Sequence, residues 1–444
     1  MINIQQISKE LLKLPIESLG SQSGFIKREQ KLKAFEFILS FFESFSEEGM
    51  CKTSTWVQKI SQYIGVPLTK QGFCKRMGWL CAGFCERLLS CAIGNSLNRV
   101  ESWQNEASWL KSFTRVFIED STAIKLPKAL YSIYGGGSNE TSRYAIARVQ
   151  LRMELQTEKI HNISIRHYAE NDNVFASDIL SVVQQGDLII RDLGYFVFDI
   201  FEKIQSKGAF FISRWQPRVQ LRHPQTGKVI DLGKILSQAE RMRVNLIEQN
   251  VLLGLKTVLQ VRFIAIKVPQ EVEQKRRQAA LDREKRKGIK YQDDYFEHLG
   301  WCIYITNIPM EKCSILNIWA IYRFRWRIEI IFKTWKSHLK ILETVKDYQY
   351  LNPCQVIIRL YLIMTWIVLC LVPAYNFFAA KIYQAEKRYL SLAKFADYYR
   401  NHFISLLDEQ NWNEHIPFVS CFCLYDKRKK YRNYFENLYI INLC

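Results

Sequence analysis

The chain has 444 residues, 48% of them hydrophobic, which excludes a mainly disordered protein and leaves room for two or three domains with their own cores. Lys and Arg number 62 against 43 Asp and Glu, a net charge of +19. That excess concentrates anions near the surface and points to a polyanionic partner, nucleic acid before an anionic membrane. The apolar run at residues 360–372, LYLIMTWIVLCLV, falls short of the ~20 residues a membrane helix needs, so it reads as a buried core helix. The start, MINIQQISKELLKLP, lacks the basic-then-apolar pattern of a signal peptide, and a soluble cytoplasmic protein with no membrane partner is expected. The 12 cysteines form no C-x-x-C pair and have few histidines at ligand spacing, which fits a reduced compartment and small core residues rather than zinc.

Taken in order, residues 1–110 read as helical. Residues 54–64 carry Trp56 and Ile60, Gly65 and Pro67 break the helix, and Thr69 is placed to cap a second helix from Lys70. That helix opens basic, with Lys70, Lys75 and Arg76, and is either a DNA-contacting unit of the helix-turn-helix kind or part of a bundle with solvated lysines. From Phe113 the pattern turns to strands: FTRVFIED, then SRYAIARVQLRMELQ and KIHNISIRHYA, with YGGGS at 134–138 as a flexible connection. A helix at 176–185, a strand centred on 188–190 and a helix at 197–207 follow, the βαβ order of an α/β sheet. Asp120 closes VFIED and Asp192 closes DLIIRD, both read as strand ends, where such sheets place their chemistry. Residues 209–215, 228–232, 255–268 and 301–308 are strand-like, and 272–290 reads as a strongly charged helix, either solvated or set against a DNA backbone.

Residues 321–341, IYRFRWRIEIIFKTWKSHLKI, read as one helix. At about 100° per residue Tyr322, Arg325, Glu329 and Lys336 share one side, with Lys333 and Lys340 close by, while Phe324, Ile328, Ile331 and Trp335 form the opposite, core-facing side. With Asp120 and Asp192, Glu329 makes a set of three carboxylates. Three anions held together repel unless divalent cations neutralise them, so Mg²⁺ or Mn²⁺ is expected, as two ions that clamp the attacking and leaving oxygens of a phosphodiester.

The spacing Tyr-x2-Arg-x3-Glu-x6-Lys, preceded by Asp and by Asp-x-Gly-Tyr, resembles the YREK signature of the DDE transposases of bacterial insertion sequences. The resemblance covers roughly residues 113–341. It implies an α/β, ribonuclease-H-like core interrupted by a mostly β insertion, with an N-terminal helical domain and a C-terminal helical region. The boundaries drawn on it are 1–110 for a DNA-binding domain, 111–215 and 298–380 for the catalytic core, 216–297 for the insertion and 381–444 for a helical region in which the resemblance implies dimer contacts. It further implies cut-and-paste transposition: binding of terminal inverted repeats in double-stranded DNA, hydrolysis at each end and joining of the 3′ hydroxyl to target DNA by a homodimer. Asp120, Asp192 and Glu329 would be the catalytic metal ligands, Tyr322, Arg325, Lys333 and Lys336 would contact DNA, and Trp301 would occupy the stack left by a flipped base. A purely hydrolytic nuclease of the same core, or a non-catalytic DNA-binding descendant, are the alternatives; the presence of all three acids favours the enzyme.

Overall fold

The helix signals of the first hundred residues are met one by one. The structure, a computed structural model, describes residues 13–27, 32–49, 51–98, 108–139, 142–217, 219–254, 258–345 and 353–425. The C-terminal stretch DKRKKYR at 426–432, basic in sequence, lies outside the described residues. Two compact units divide the chain: the first contains Asp120–Asn171 and Trp326–Glu436 with the N-terminal helices, the second Glu106–Glu119 and Asp172–Arg325.

In the first unit, helix Thr53–Ile64 buries Trp56 and Ile60 and ends where Gly65 adopts the left-handed φ of 66°. Thr69 then caps helix Lys70–Arg76 by accepting from the Gly72 amide at 3.1 Å. Helix Ala34–Glu48 supplies Phe37 and Phe41, whose rings pack on Trp56 at 4.8 and 4.9 Å. The run read as a core helix lies within a longer one, Cys354–Trp366 continuing through a π turn at Ile367–Leu371 into Val372–Glu386. It is long and apolar enough to cross a membrane, yet 89% of its most apolar window is buried inside the fold. Arg359 sits on it, fully buried, donating to Thr53 Oγ1 at 2.8 Å with its guanidinium over Trp56.

Strand β1 (Val116–Leu126) begins in the second unit and ends in the first. In the first unit, β2 (Gly135–Asn139) pairs antiparallel with β3 (Ser142–Glu154), which pairs with β4 (Ile160–His167). The YGGGS stretch is thus a strand rather than a flexible connection. A Cβ at Gly136 would lie 2.6 Å from the Tyr144 carbonyl, so glycine there permits the close pairing that its low strand propensity argues against.

The second unit carries β5 (Leu188–Arg191), β6 (Phe210–Arg214), β7 (Leu221–Arg222), β8 (Leu246–Leu253), β9 (Leu259–Lys267) and β10 (Trp301–Thr306). Here β1, β5 and β6 are parallel, with helix Phe198–Ser206 as the β5–β6 crossover, while β10, β9, β8 and β7 continue antiparallel. Phe117, Ile189, Phe211, Phe263 and Ile305 fill its core. The architecture is the expected mixed α/β one, with helical regions at both ends of the chain.

Several local readings are corrected. Of residues 176–185, only Ala176–Ser181 are helical, as a short 3₁₀ helix. Residues 228–232 contain one isolated bridge at Val229, after which Asp231 caps helix Leu232–Arg241. Asp120 lies inside β1, not at its end, because Thr122, Ile124 and Leu126 continue the alternating burial. The motif stretch is two helices, Ile315–Arg323 and Trp326–Ser337, not one. At the break the Phe324 and Arg325 amides reach back three residues instead of four, to Ile321 and Tyr322. The sequence YRFRW there is rich in aromatic side chains, which lose rotamer freedom in a helix.

Candidate active site

β1 and β5 run side by side as VFI and LII, and the next residue on each is charged. Glu119 and Arg191 are Cα partners, both fully buried, and Arg191 Nε donates to Glu119 Oε2 at 2.6 Å while its Nη2 donates to the Ala176 carbonyl at 2.9 Å. Two charges taken out of water are tolerated only as a matched pair, so this bond ties the strands in one register. In sequence, each member is followed by a candidate acid.

Asp120 is half-buried and accepts from the Ser121 amide at 2.8 Å. Asp192 follows β5 immediately, with its side chain 38% exposed. Tyr322 donates its hydroxyl to Asp192 Oδ1 at 3.2 Å, and Arg325 Nε stands 3.9 Å from the same oxygen. Burial first, and the charge of Asp192 second, push the Tyr322 hydroxyl well above its usual range, so it stays a neutral donor; Arg325 and Arg214 partly oppose that push. Gly194, two residues on, lets the Asp172 side chain approach closely: a Cβ there would stand 2.7 Å from Asp172 Oδ2, which would have to shift. Arg214, exposed at the end of β6, is a cation near this site that the sequence reading missed; its only signal was its place at the carboxyl end of a strand.

Glu329 is partly buried in the first turn of helix Trp326–Ser337, where the positive end of the helix dipole favours a carboxylate. That helix is fixed by Arg327, 1% exposed, which donates to Glu158 Oε2 at 2.8 Å and to the Tyr375 hydroxyl at 3.1 Å. Lys333 is exposed on the same helix, while Lys336 is half-buried and burial lowers its pKa. Lys70, Lys75 and Arg76 are all exposed on their two-turn helix. Trp301 is 2% exposed in the core of the second unit, with Lys267 Nζ 5.4 Å above its ring, and presents no face to solvent.

The structure therefore brings Asp192, Tyr322 and Arg325 together, and sets Glu329, Lys333 and Lys336 on one helix. Carboxylate oxygens are the hard donors that Mg²⁺ or Mn²⁺ prefers. Among the described residues, however, no three Asp, Glu, His or Cys side chains stand close enough to hold an ion. The donor types fit a divalent metal.

The transposase DDE domain family matches residues 111–363, more than half of the chain. The transposase for insertion sequence element IS231E of Bacillus thuringiensis subsp. finitimus is 25% identical over 92% of this chain and 87% of its own length. The IS231B transposase of Bacillus thuringiensis subsp. berliner is 26% identical over 76% and 73%, and the IS1151 transposase of Clostridium perfringens 26% over 74% and 72%. The chain belongs to the DDE transposases of insertion sequences, metal-dependent enzymes with a ribonuclease-H-like core that act on DNA by cleavage and strand transfer.

Proposed function

We propose that the chain moves its element by cut-and-paste transposition, with Asp120, Asp192 and Glu329 as the catalytic acids. The observation that carries this reading is the site around Asp192: a half-exposed carboxylate directly after a buried parallel strand, engaged by Tyr322 and Arg325 of the Tyr-x2-Arg-x3-Glu-x6-Lys pattern. The three carboxylates would hold two divalent ions, Mg²⁺ or Mn²⁺, which supply the Lewis acidity for phosphodiester cleavage when bound. Tyr322, Arg325, Lys333 and Lys336 would take backbone phosphates of the terminal inverted repeats, contacts that set register and affinity without reading sequence. Lys70, Lys75 and Arg76 would meet the repeat from the N-terminal helical domain, 1–110. The core is placed at 111–215 and 298–380, the insertion at 216–297, and dimer contacts in 381–444, with action on the nucleoid in the cytoplasm.

The test is a strand-transfer assay with labelled inverted-repeat ends and supercoiled target. Asp120→Ala, Asp192→Ala and Glu329→Ala should each abolish nicking and joining yet retain end binding and folding, since all three side chains are partly exposed and none fills the core. Wild-type-rate nicking by Glu329→Ala in Mg²⁺ would refute the assignment. Hydrolysis without joining by the wild type would favour the nuclease, and binding without either the non-catalytic descendant.

A further inference from the structure

Helix Gln270–Lys287 is built in two halves. The first is fastened: Glu273 pairs with Lys267 at 3.0 Å and Arg277 at 2.9 Å, and Arg276 donates to the carbonyls of Leu299 and Trp301 at 3.2 and 3.1 Å. The second half is held by little. Ala280 is the one buried residue of the helix, and Arg283, Lys285, Arg286 and Lys287 are all exposed, as is Lys290 beyond the Gly288 cap. The acids interspersed there are already engaged, Asp282 by Gln278 and Glu284 by the Tyr291 amide. The five cations make no ion pair or hydrogen bond among the described residues.

A cation or two at a helix C-terminus is favoured by the dipole. This end carries more than that, and Arg283 stands three and four residues from Arg286 and Lys287, the spacing at which like charges on a helix repel. That repulsion is relieved when a polyanion lies across the stripe. A rigid helix rises about 1.5 Å per residue, and duplex DNA carries one charge per ~1.7 Å of axis, so the stripe Arg283–Arg286–Lys287 spans several phosphates.

We propose that this cationic helix end is a docking surface for the backbone of duplex DNA, independent of base sequence. The inference rests on the chain acting on DNA, and wild-type nicking in the same preparation reports on that separately. Full-length protein carrying Arg283→Gln, Arg286→Gln and Lys287→Gln together is titrated with salt against two fluorescent duplexes, one with the element end and one of unrelated sequence. Each phosphate contact contributes ~0.9 to the slope of log K against log salt, so the slope should fall by about two to three, equally on both duplexes. An unchanged slope overturns the proposal, as does a loss confined to one duplex. Should the triple variant fail to fold, Lys287→Gln alone decides, with a slope lower by about one.

Discussion

Removing Glu119 while leaving Arg191 strands a guanidinium with essentially no solvent access beside Asp192. Breaking a buried pair by deleting one partner costs roughly 3–5 kcal/mol, whereas replacing both by apolar groups of similar volume is often neutral or stabilising. Glu119→Leu is therefore expected to destabilise the second unit by that amount. At about 2–4 °C per kcal/mol for a domain of this size, the melting temperature should drop by roughly 6–20 °C. The Glu119→Leu/Arg191→Met double variant should recover most of the loss, leaving a coupling of at least about 2 kcal/mol. Calorimetry on the two single variants, the double variant and wild type measures the cycle. Nicking assayed below the lowest transition should fall more than end binding, because the pair sets the strand that delivers Asp192. Additive losses, or a Glu119→Leu protein as stable as wild type, would refute the view that the pair pins the strands.

Tyr322→Phe removes one hydrogen bond to a charged but part-exposed acceptor, and a loss of about 1 kcal/mol is expected, absent when Asp192→Ala is already in place; equal losses in both backgrounds would deny the contact. Burial lowers the Lys336 pKa, so below the usual lysine value of 10.5 the folded protein holds that proton less tightly than the unfolded chain, and stability from this group rises with pH through the window between the two. A DNA phosphate at Lys336 would restore the proton, so end affinity should fall as pH rises through the same window, and Lys336→Ala should remove that dependence in a binding titration. Arg325→Ala and Lys336→Ala should each flatten the salt slope by roughly one. Trp301→Ala opens a cavity in the second unit and should cost roughly 3–5 kcal/mol with all reaction steps falling together; an unchanged melting temperature with only late steps slowed would instead mark a base-stacking role.

What could be read from the sequence was whatever a local pattern decides. Thr69 and Gly65 announce their caps, the core side of the motif stretch is buried as its periodicity requires, and Asp192 stands where an apolar strand gives out. Asp120 was misplaced because an acid after VFI looks like a terminator, while the strand is continued by Thr122, Ile124 and Leu126 burying alternate positions on a sheet the sequence cannot display. β8, LIEQNVLL, was missed for a related reason: Glu248 is polar alone but becomes a strand residue once Arg262 on β9 holds it. The helix break at Phe324–Arg325 shows the limit most clearly. An unbroken α-helix is enough to align Tyr322, Arg325 and Glu329 on paper, but the structure gives Tyr322 and Arg325 to Asp192 and begins a new helix, fixed by Arg327 and Glu158, for Glu329. Residue spacing in such a motif is then not a record of one helix face. It records two anchorages, one on the part-exposed Asp192 and one on the buried Glu158, both far away in sequence, and that is why three short-range intervals could suggest the resemblance while the Glu119–Arg191 and Glu158–Arg327 pairs that hold the acids could be found only in three dimensions.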